Sequence, residues 1–186
     1  MKLLVVGGGG REHAIIKKLK ENPTVGTIYA LPGNGGIAAD AVCVPIASTD
    51  INAICDFAAE NGVDYAVVAP DDPLAAGCVD ALTARGVPCF GPTKAAAEIE
   101  SSKVFAKNLM RKYGIPTADY RVFTSAAEAE AYLASAPLPT VIKADGLALG
   151  KGVVIAETRE AAMDAVRGMM EDKKFGASGE TIVVEE

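Results

Sequence analysis

Short apolar runs that each end in a glycine or proline loop recur through the first half of the chain. Residues 2–6 empty into Gly7-Gly8-Gly9-Gly10, and residues 27–30 into Leu31-Pro32-Gly33-Asn34-Gly35-Gly36. Residues 65–69 run into Pro70-Asp71-Asp72-Pro73, and residues 87–90 into Gly91-Pro92-Thr93. Helix-like stretches separate them at residues 14–19, 51–60 and 74–84, with Asp50 placed to cap the second, and a short strand is expected at residues 42–44. Alternating strands and helices, with strands that are apolar on both faces, predict a doubly wound α/β unit built on a parallel sheet. Ligands of such sheets bind beyond the carboxyl ends of the strands. The loops at residues 7–11, 32–36 and 70–73 should therefore share one edge.

The pattern changes after Gly91. Residues 94–100 and 102–113 read as helices, with Ser101 or Ser102 as an N-cap, and Gly114-Ile115-Pro116 stops the second. A strand at residues 120–123, a helix at 125–135, a strand at 140–143, a glycine hairpin, a strand at 153–156 and a helix at 158–171 follow. A loop with Gly176 and Gly179 leads to a last strand at 181–186. The expected division is 1–101 and 102–186. A strand left open at the end is an exposed edge, so the chain reads as a piece of a longer protein.

Two places invite a phosphate. In residues 141–155, two β-branched runs flank a turn holding Gly146, Gly150 and Gly152, with Lys143 before the turn and Lys151 inside it. This predicts a β-hairpin with a mobile, glycine-rich tip, where backbone N–H groups and a compact charge could hold an anion. It is not a Walker A loop: Asp145 and Gly152 stand where a glycine and a Ser/Thr are needed, and a strand follows instead of a helix. The second place is the strand–glycine–helix opening, whose helix start suits an anion and whose Arg11 could add a bidentate contact. The dinucleotide fingerprint fails there, because its third glycine falls on Glu12 or His13 and Leu31-Pro32 replaces the acidic residue that would grip a ribose. His13, the single histidine, has no nucleophile or metal partner in the pattern and is expected to cap or pack. Asp71 and Asp72 could bind sugar hydroxyls or an ammonium, or cap the following helix.

A net charge of −6 without a basic cluster argues against nucleic-acid binding. No apolar run approaches the roughly 18 residues of a membrane span, and residues 1–6 are too short for a signal-peptide core. A cytoplasmic location is expected. Cys43, Cys55, Cys78 and Cys89 lack metal or redox spacing and read as small hydrophobes in a reducing compartment.

Taken together, Gly7–Gly10 with Arg11-Glu12-His13-Ala14, Pro32-Gly33-Asn34 with Gly36, Gly91-Pro92-Thr93, Ser102-Lys103 with Phe105 and Lys107, Ile115-Pro116-Thr117-Ala118, residues 141–152 and Glu185-Glu186 resemble the phosphoribosylamine–glycine ligase family of the ATP-grasp superfamily. These motifs span the whole chain in the family's order. One departure is Pro70-Asp71-Asp72-Pro73, where Pro-Glu-x-Pro is expected in many members. The resemblance implies a pre-ATP-grasp domain followed by a partial ATP-grasp domain containing the lid subdomain. It implies a reaction in which ATP phosphorylates glycine and the amine of 5-phosphoribosylamine attacks the acyl phosphate, giving glycinamide ribonucleotide in purine synthesis. By the same resemblance Lys103 and Lys143 reach the ATP phosphates, Gly146, Gly150, Lys151 and Gly152 form the lid loop, and Glu185 and Glu186 begin the adenine side. Gly9, Gly10, Arg11, Glu12, Gly33, Asn34, Asp71 and Asp72 are the corresponding candidates for the phosphoribosylamine pocket. The Mg²⁺ or Mn²⁺ ligands are implied beyond residue 186, so residues 1–186 alone are expected not to turn over. A monomer acting on small molecules, with no nucleic-acid or membrane partner, is expected. Two alternatives stay open: another ATP-grasp ligase or carboxylase, and a non-catalytic nucleotide-binding module.

Overall fold

A computed structural model describes residues 1–148 and 151–186, which divide into two compact units, Met1–Ala97 and Glu98–Glu186. In the first, β1 (Lys2–Gly7), β2 (Thr27–Pro32), β3 (Val42–Cys43), β4 (Tyr65–Val68) and β5 (Cys89–Phe90) form a parallel sheet in the order β3-β2-β1-β4-β5. Its helices are α1 (Gly10–Lys20), α2 (Ile51–Glu60), α3 (Asp71–Ala76) and α4 (Cys78–Ala84).

Central β1 shows why the sheet is covered twice. Successive side chains of a strand point to opposite faces. Leu4 and Val6 join Ile54 of α2 and Leu82 of α4 in one core, while Leu3 and Val5 join Ile16 of α1 in the other. Each such fully buried side chain stabilises the fold by roughly 1.5–3 kcal/mol. This is the doubly wound arrangement the alternation predicts. Strand order reverses direction between β1 and β4, which puts a topological switch point at that pair.

Three local expectations for this unit change. Helix α1 begins at Gly10 rather than Ala14, because Gly9 is extended and its N–H donates to Glu12 Oε2 at 2.7 Å, closing the first turn early. The single helix expected at residues 74–84 is two, broken where Gly77 takes φ +91°. Asp71, Asp72 and Pro73, expected as loop, are the first turn of α3, a position where proline's missing N–H costs nothing. In the loop after β2, only Gly33 needs a left-handed backbone, at φ +70°.

The second unit begins within α5 (Lys94–Ser101) and continues with α6 (Lys103–Tyr113), β6 (Tyr120–Phe123), α7 (Ala126–Leu133), β7 (Thr140–Ala144), β8 (Val153–Ala156), α8 (Arg159–Val166) and β9 (Ile182–Glu185). Ser102 caps α6 by accepting from Phe105 N at 3.0 Å, and Gly114 ends it in a left-handed turn. The strands pair antiparallel in the order β6-β9-β7-β8. Ile142, Ile182 and Val184 face α7 and α8, packing on Leu133, Ala162 and Val166. The helix expected at residues 158–171 keeps its α form only to Val166 and widens into a π turn over Arg167–Glu171.

β9 corrects a larger expectation. It is not an exposed edge: it lies between β6 and β7 and is hydrogen-bonded on both sides. Its continuous run of apolar residues reflects that interior place. Among the described residues no helix is long and apolar enough to cross a membrane.

Candidate functional site

The three loops of the first unit meet where the switch point predicts. Gly33 N donates to Gly7 O at 3.2 Å, and Asn34 Nδ2 donates to Gly8 O at 2.7 Å. A methyl group on Gly7 would lie 2.8 Å from Pro70 Cγ, so the loop after β4 closes against the loop after β1. Gly33 also packs tightly, since a methyl group there would lie 2.4 Å from Cys43 Sγ. Gly9 and Gly10 are exposed on this edge, as are Asn34, Asp71 and Asp72.

The four charged candidates, Arg11, Glu12, Asp71 and Asp72, differ in their surroundings. Glu12 is buried, with Oε2 accepting from Gly9 N and Oε1 from Arg11 Nε at 2.7 Å. Its carboxylate therefore staples the glycine turn, while Arg11 remains largely exposed. Asp71 and Asp72 sit at the start of α3, where negative charge complements the helix dipole.

His13 packs, as expected of a lone histidine. Its Nε2 is 2.8 Å from Asp40 Oδ2, and its ring lies against Gly36. Lys20 Nζ holds the other oxygen, Oδ1, at 2.8 Å. The Lys20 and His13 contacts push the Asp40 carboxyl from 3.8 down to about 2. A depressed folded value means stability that is present above the unfolded value and lost as pH falls through the folded one. The stability difference between the wild type and Asp40→Asn is therefore expected to shrink as pH falls from about 4 toward 2. Denaturant unfolding across that range reads it directly, and a difference independent of pH would refute the assignment.

In the second unit, the amino end of α6 docks onto the turn after β7. Asp145 Oδ1 accepts from Val104 N at 2.7 Å and from Ser102 Oγ at 3.1 Å, so the carboxylate caps the helix. Lys103 Nζ donates to Gly146 O at 3.2 Å and lies 3.5 Å from Asp145 O. Burial lowers the pKa of Lys103, while Asp145 and Glu100 oppose that shift. Lys143, half-buried on β7, donates to Glu185 Oε2 at 2.8 Å. Lys103 thus lies against the turn that ends β7, while Lys143 on the strand itself is paired with Glu185.

A third lysine joins them that the sequence reading did not single out for the site. Lys107 is 6% exposed, and its Nζ lies 3.2 Å from Glu185 Oε1. It also donates to Thr117 Oγ1 at 2.8 Å and to Ala118 O at 3.2 Å. Its spacing of four from Lys103 puts both on one helix face, which was the available signal.

The glycines of the hairpin have packing reasons. A methyl group on Gly146 would lie 2.4 Å from Ser178 Oγ, and one on Gly152 would lie 2.6 Å from Ala148 Cβ. Lys151 is exposed. Gly150, and with it the expected mobile tip, lies outside the described residues. Glu186 is not brought to the lysines. It borders a separate cleft of about 580 Å³ with Arg111, Tyr120 and Arg121. Among the described residues, no group of three or more His, Cys, Asp or Glu side chains could hold a metal ion.

Comparison with known proteins places each unit. Residues 1–100 match the family model described as phosphoribosylglycinamide synthetase, N domain, and residues 101–186 match the ATP-grasp (A) domain of the same family. The chain is 52% identical over 187 residues to phosphoribosylamine–glycine ligase of Streptococcus suis, covering all of this chain and 44% of that protein. It is 51% identical over 186 residues to the enzyme of that name from Ralstonia nicotianae, again covering 44% of it. The chain thus spans less than half the length of these relatives. The crystal structure of phosphoribosylamine–glycine ligase from Thermotoga maritima superposes with a TM-score of 0.80 at 29% identity, covering 100% of this chain and 44% of that one. The biotin carboxylase domain of Hydrogenobacter thermophilus 2-oxoglutarate carboxylase, at 18% identity and a TM-score of 0.80, shares the fold over 99% of this chain and 43% of that one.

Proposed function

The chain belongs to the phosphoribosylglycinamide synthetase family, and from that premise we propose that it forms the amino-terminal part of an ATP-dependent ligase joining glycine to 5-phosphoribosylamine. ATP phosphorylates the glycine carboxylate, and the amine attacks the resulting glycyl phosphate to give glycinamide ribonucleotide, ADP and phosphate. The observation that carries this reading is the pair Lys103 and Lys143, one from a helix that docks on the turn ending β7 and one from that strand, where it meets Glu185.

The chemistry needs such a pair. A carboxylate is a poor electrophile until one oxygen becomes a leaving group, and phosphoryl transfer spreads negative charge over three oxygens. Fixed ammonium groups in a partly buried site offset that charge without reorganising. Lys103 would turn from two carbonyls, and Lys143 from Glu185, onto the nucleotide phosphates as ATP binds, so that both are in place before the transfer step. Gly146, Gly150, Lys151 and Gly152 would cover the phosphates as a lid, and Glu185 and Glu186 would begin the adenine side. Mg²⁺ or Mn²⁺, when bound, would neutralise the same phosphates. The described residues offer no ligand cluster for it. At the sheet edge of the first unit, Gly9, Gly10, Arg11, Glu12, Gly33, Asn34, Asp71 and Asp72 are assigned to 5-phosphoribosylamine, with Glu12 acting through the loop it staples. The assignment divides the chain at 1–101 and 102–186 and pictures a cytoplasmic, monomeric enzyme of small molecules.

The test uses the full-length protein. ADP release should require both glycine and 5-phosphoribosylamine, and Lys143→Met should lower kcat/KM for ATP on the order of 100-fold. ADP release that ignores glycine but follows bicarbonate would instead favour a carboxylase.

A further inference from the structure

Glu185 lies between two ammonium groups of unlike exposure. Lys107 faces Oε1 at 3.2 Å and Lys143 faces Oε2 at 2.8 Å. Glu185 is 7% exposed, and its Oε1 is closed to solvent without an aligned hydrogen bond. Charge, more than hydrogen-bond geometry, therefore ties it to Lys107. Two donors of the Lys107 ammonium are already given to Thr117 and Ala118. This ammonium is fixed inside the unit. The Lys143 side chain, in contrast, keeps 26% of its surface exposed.

We propose that Lys107 is a positioning residue of the nucleotide site: it neutralises Glu185, so that Lys143 keeps its charge for a phosphate. The inference rests on the reading that ATP phosphates come to Lys103 and Lys143. Lys107, Glu185 and Lys143 together carry one net positive charge. Without the Lys107 charge, Glu185 and Lys143 cancel, and an arriving phosphate meets a neutral pair with a carboxylate in it. Glu185 would then hold Lys143 back instead of presenting it. Charges in a partly buried site act at a much lower effective dielectric than in water, so this loss is felt. Lys107 does all this without touching the ligand.

The charge argument separates this role from simple packing. In the full-length protein, ATP and adenosine affinities are measured by calorimetry. Lys107→Met is expected to weaken ATP about tenfold, equivalent to about 1.4 kcal/mol, while adenosine is held as before. Lys107→Arg should preserve the preference for ATP. The double variant Lys107→Met/Glu185→Gln removes both charges and should bring the preference for ATP over adenosine back to within about threefold of wild type, or about 0.7 kcal/mol, whatever the change at Glu185 does to the adenosine part that both ligands share. A packing role would weaken ATP and adenosine together, and the double variant would not recover. Either of those results, or unchanged ATP binding by Lys107→Met, overturns the proposal. If Lys107→Met does not fold, the double variant decides alone: wild-type preference for ATP supports the proposal and loss of it refutes it. A wild-type protein that binds no ATP would overturn the functional reading itself, before any variant is compared.

Discussion

Glu185→Ala is expected to destabilise the second unit by about 3–5 kcal/mol, the usual loss when one partner of a buried ion pair is removed. The carboxylate compensates Lys107, whose ammonium is nearly closed to water and keeps no anionic partner when Glu185 is gone, only one hydroxyl, one carbonyl and the face of the Tyr120 ring. The same substitution frees Lys143 on the other side. Removing the partly exposed Lys143 instead should be milder, because Glu185 then retains Lys107. Hydrogen exchange of the β6, β7 and β9 amides reports the unit directly. A loss below about 1 kcal/mol, the scale of an exposed pair, would mean that Glu185 does not hold the buried charge.

Gly8→Ala carries the second large effect, at the opposite end of the chain. A methyl group on Gly8 would stand 2.5 Å from the carbonyl oxygen of Gly33, a backbone atom that cannot rotate away. The two loops are also pinned by Gly33 N to Gly7 O and by Asn34 Nδ2 to Gly8 O. Relief requires the loops to part, at a cost of about 1–3 kcal/mol typical of overpacking. The edge assigned to 5-phosphoribosylamine would be respaced, so its KM should rise together with the fall in melting temperature. Gly10→Ala is the control for stability. Nothing lies within 4 Å of the added methyl group, and its effect should stay within about 0.5 kcal/mol. Equal effects of the two substitutions would refute the argument.

The contrast between Gly8 and Gly10 shows what a sequence conceals. Four consecutive glycines announce a turn, yet which of them is fixed by a neighbour depends on a loop some 25 residues away. Strand–helix alternation made the parallel sheet legible, because burial on two faces writes itself as continuous apolar runs. The hairpin was equally legible, with Lys143 opposite Val153 as its pattern implies. What escaped depends on long-range partners. Glu12 looks like an exposed acid beside a phosphate loop until Gly9 and Arg11 are seen to occupy it. Lys107 carries no local mark of burial, since its partners Thr117, Ala118 and Glu185 come from elsewhere in the chain. The interior place of β9 was hidden for the same reason: position in a sequence does not reveal position in a sheet. The break at Gly77 was readable in principle, as glycine inside a helical pattern is a known interruption.

That placement of β9 bears on how the second unit is assembled. β7 and β8 can zip together as neighbours across one short connection, whereas β6 has no partner until β9 arrives from about 60 residues further along. Until then, β6 and the open side of β7 offer unpaired backbone to any passing strand. Closing long loops before contacts compensate slows folding, so the assembly step should be late and cooperative. The first unit, completed by strands drawn from its own 97 residues, has no need to wait for it. During synthesis the first unit would thus be complete before β9, and Glu185 with it, joins the sheet of the second.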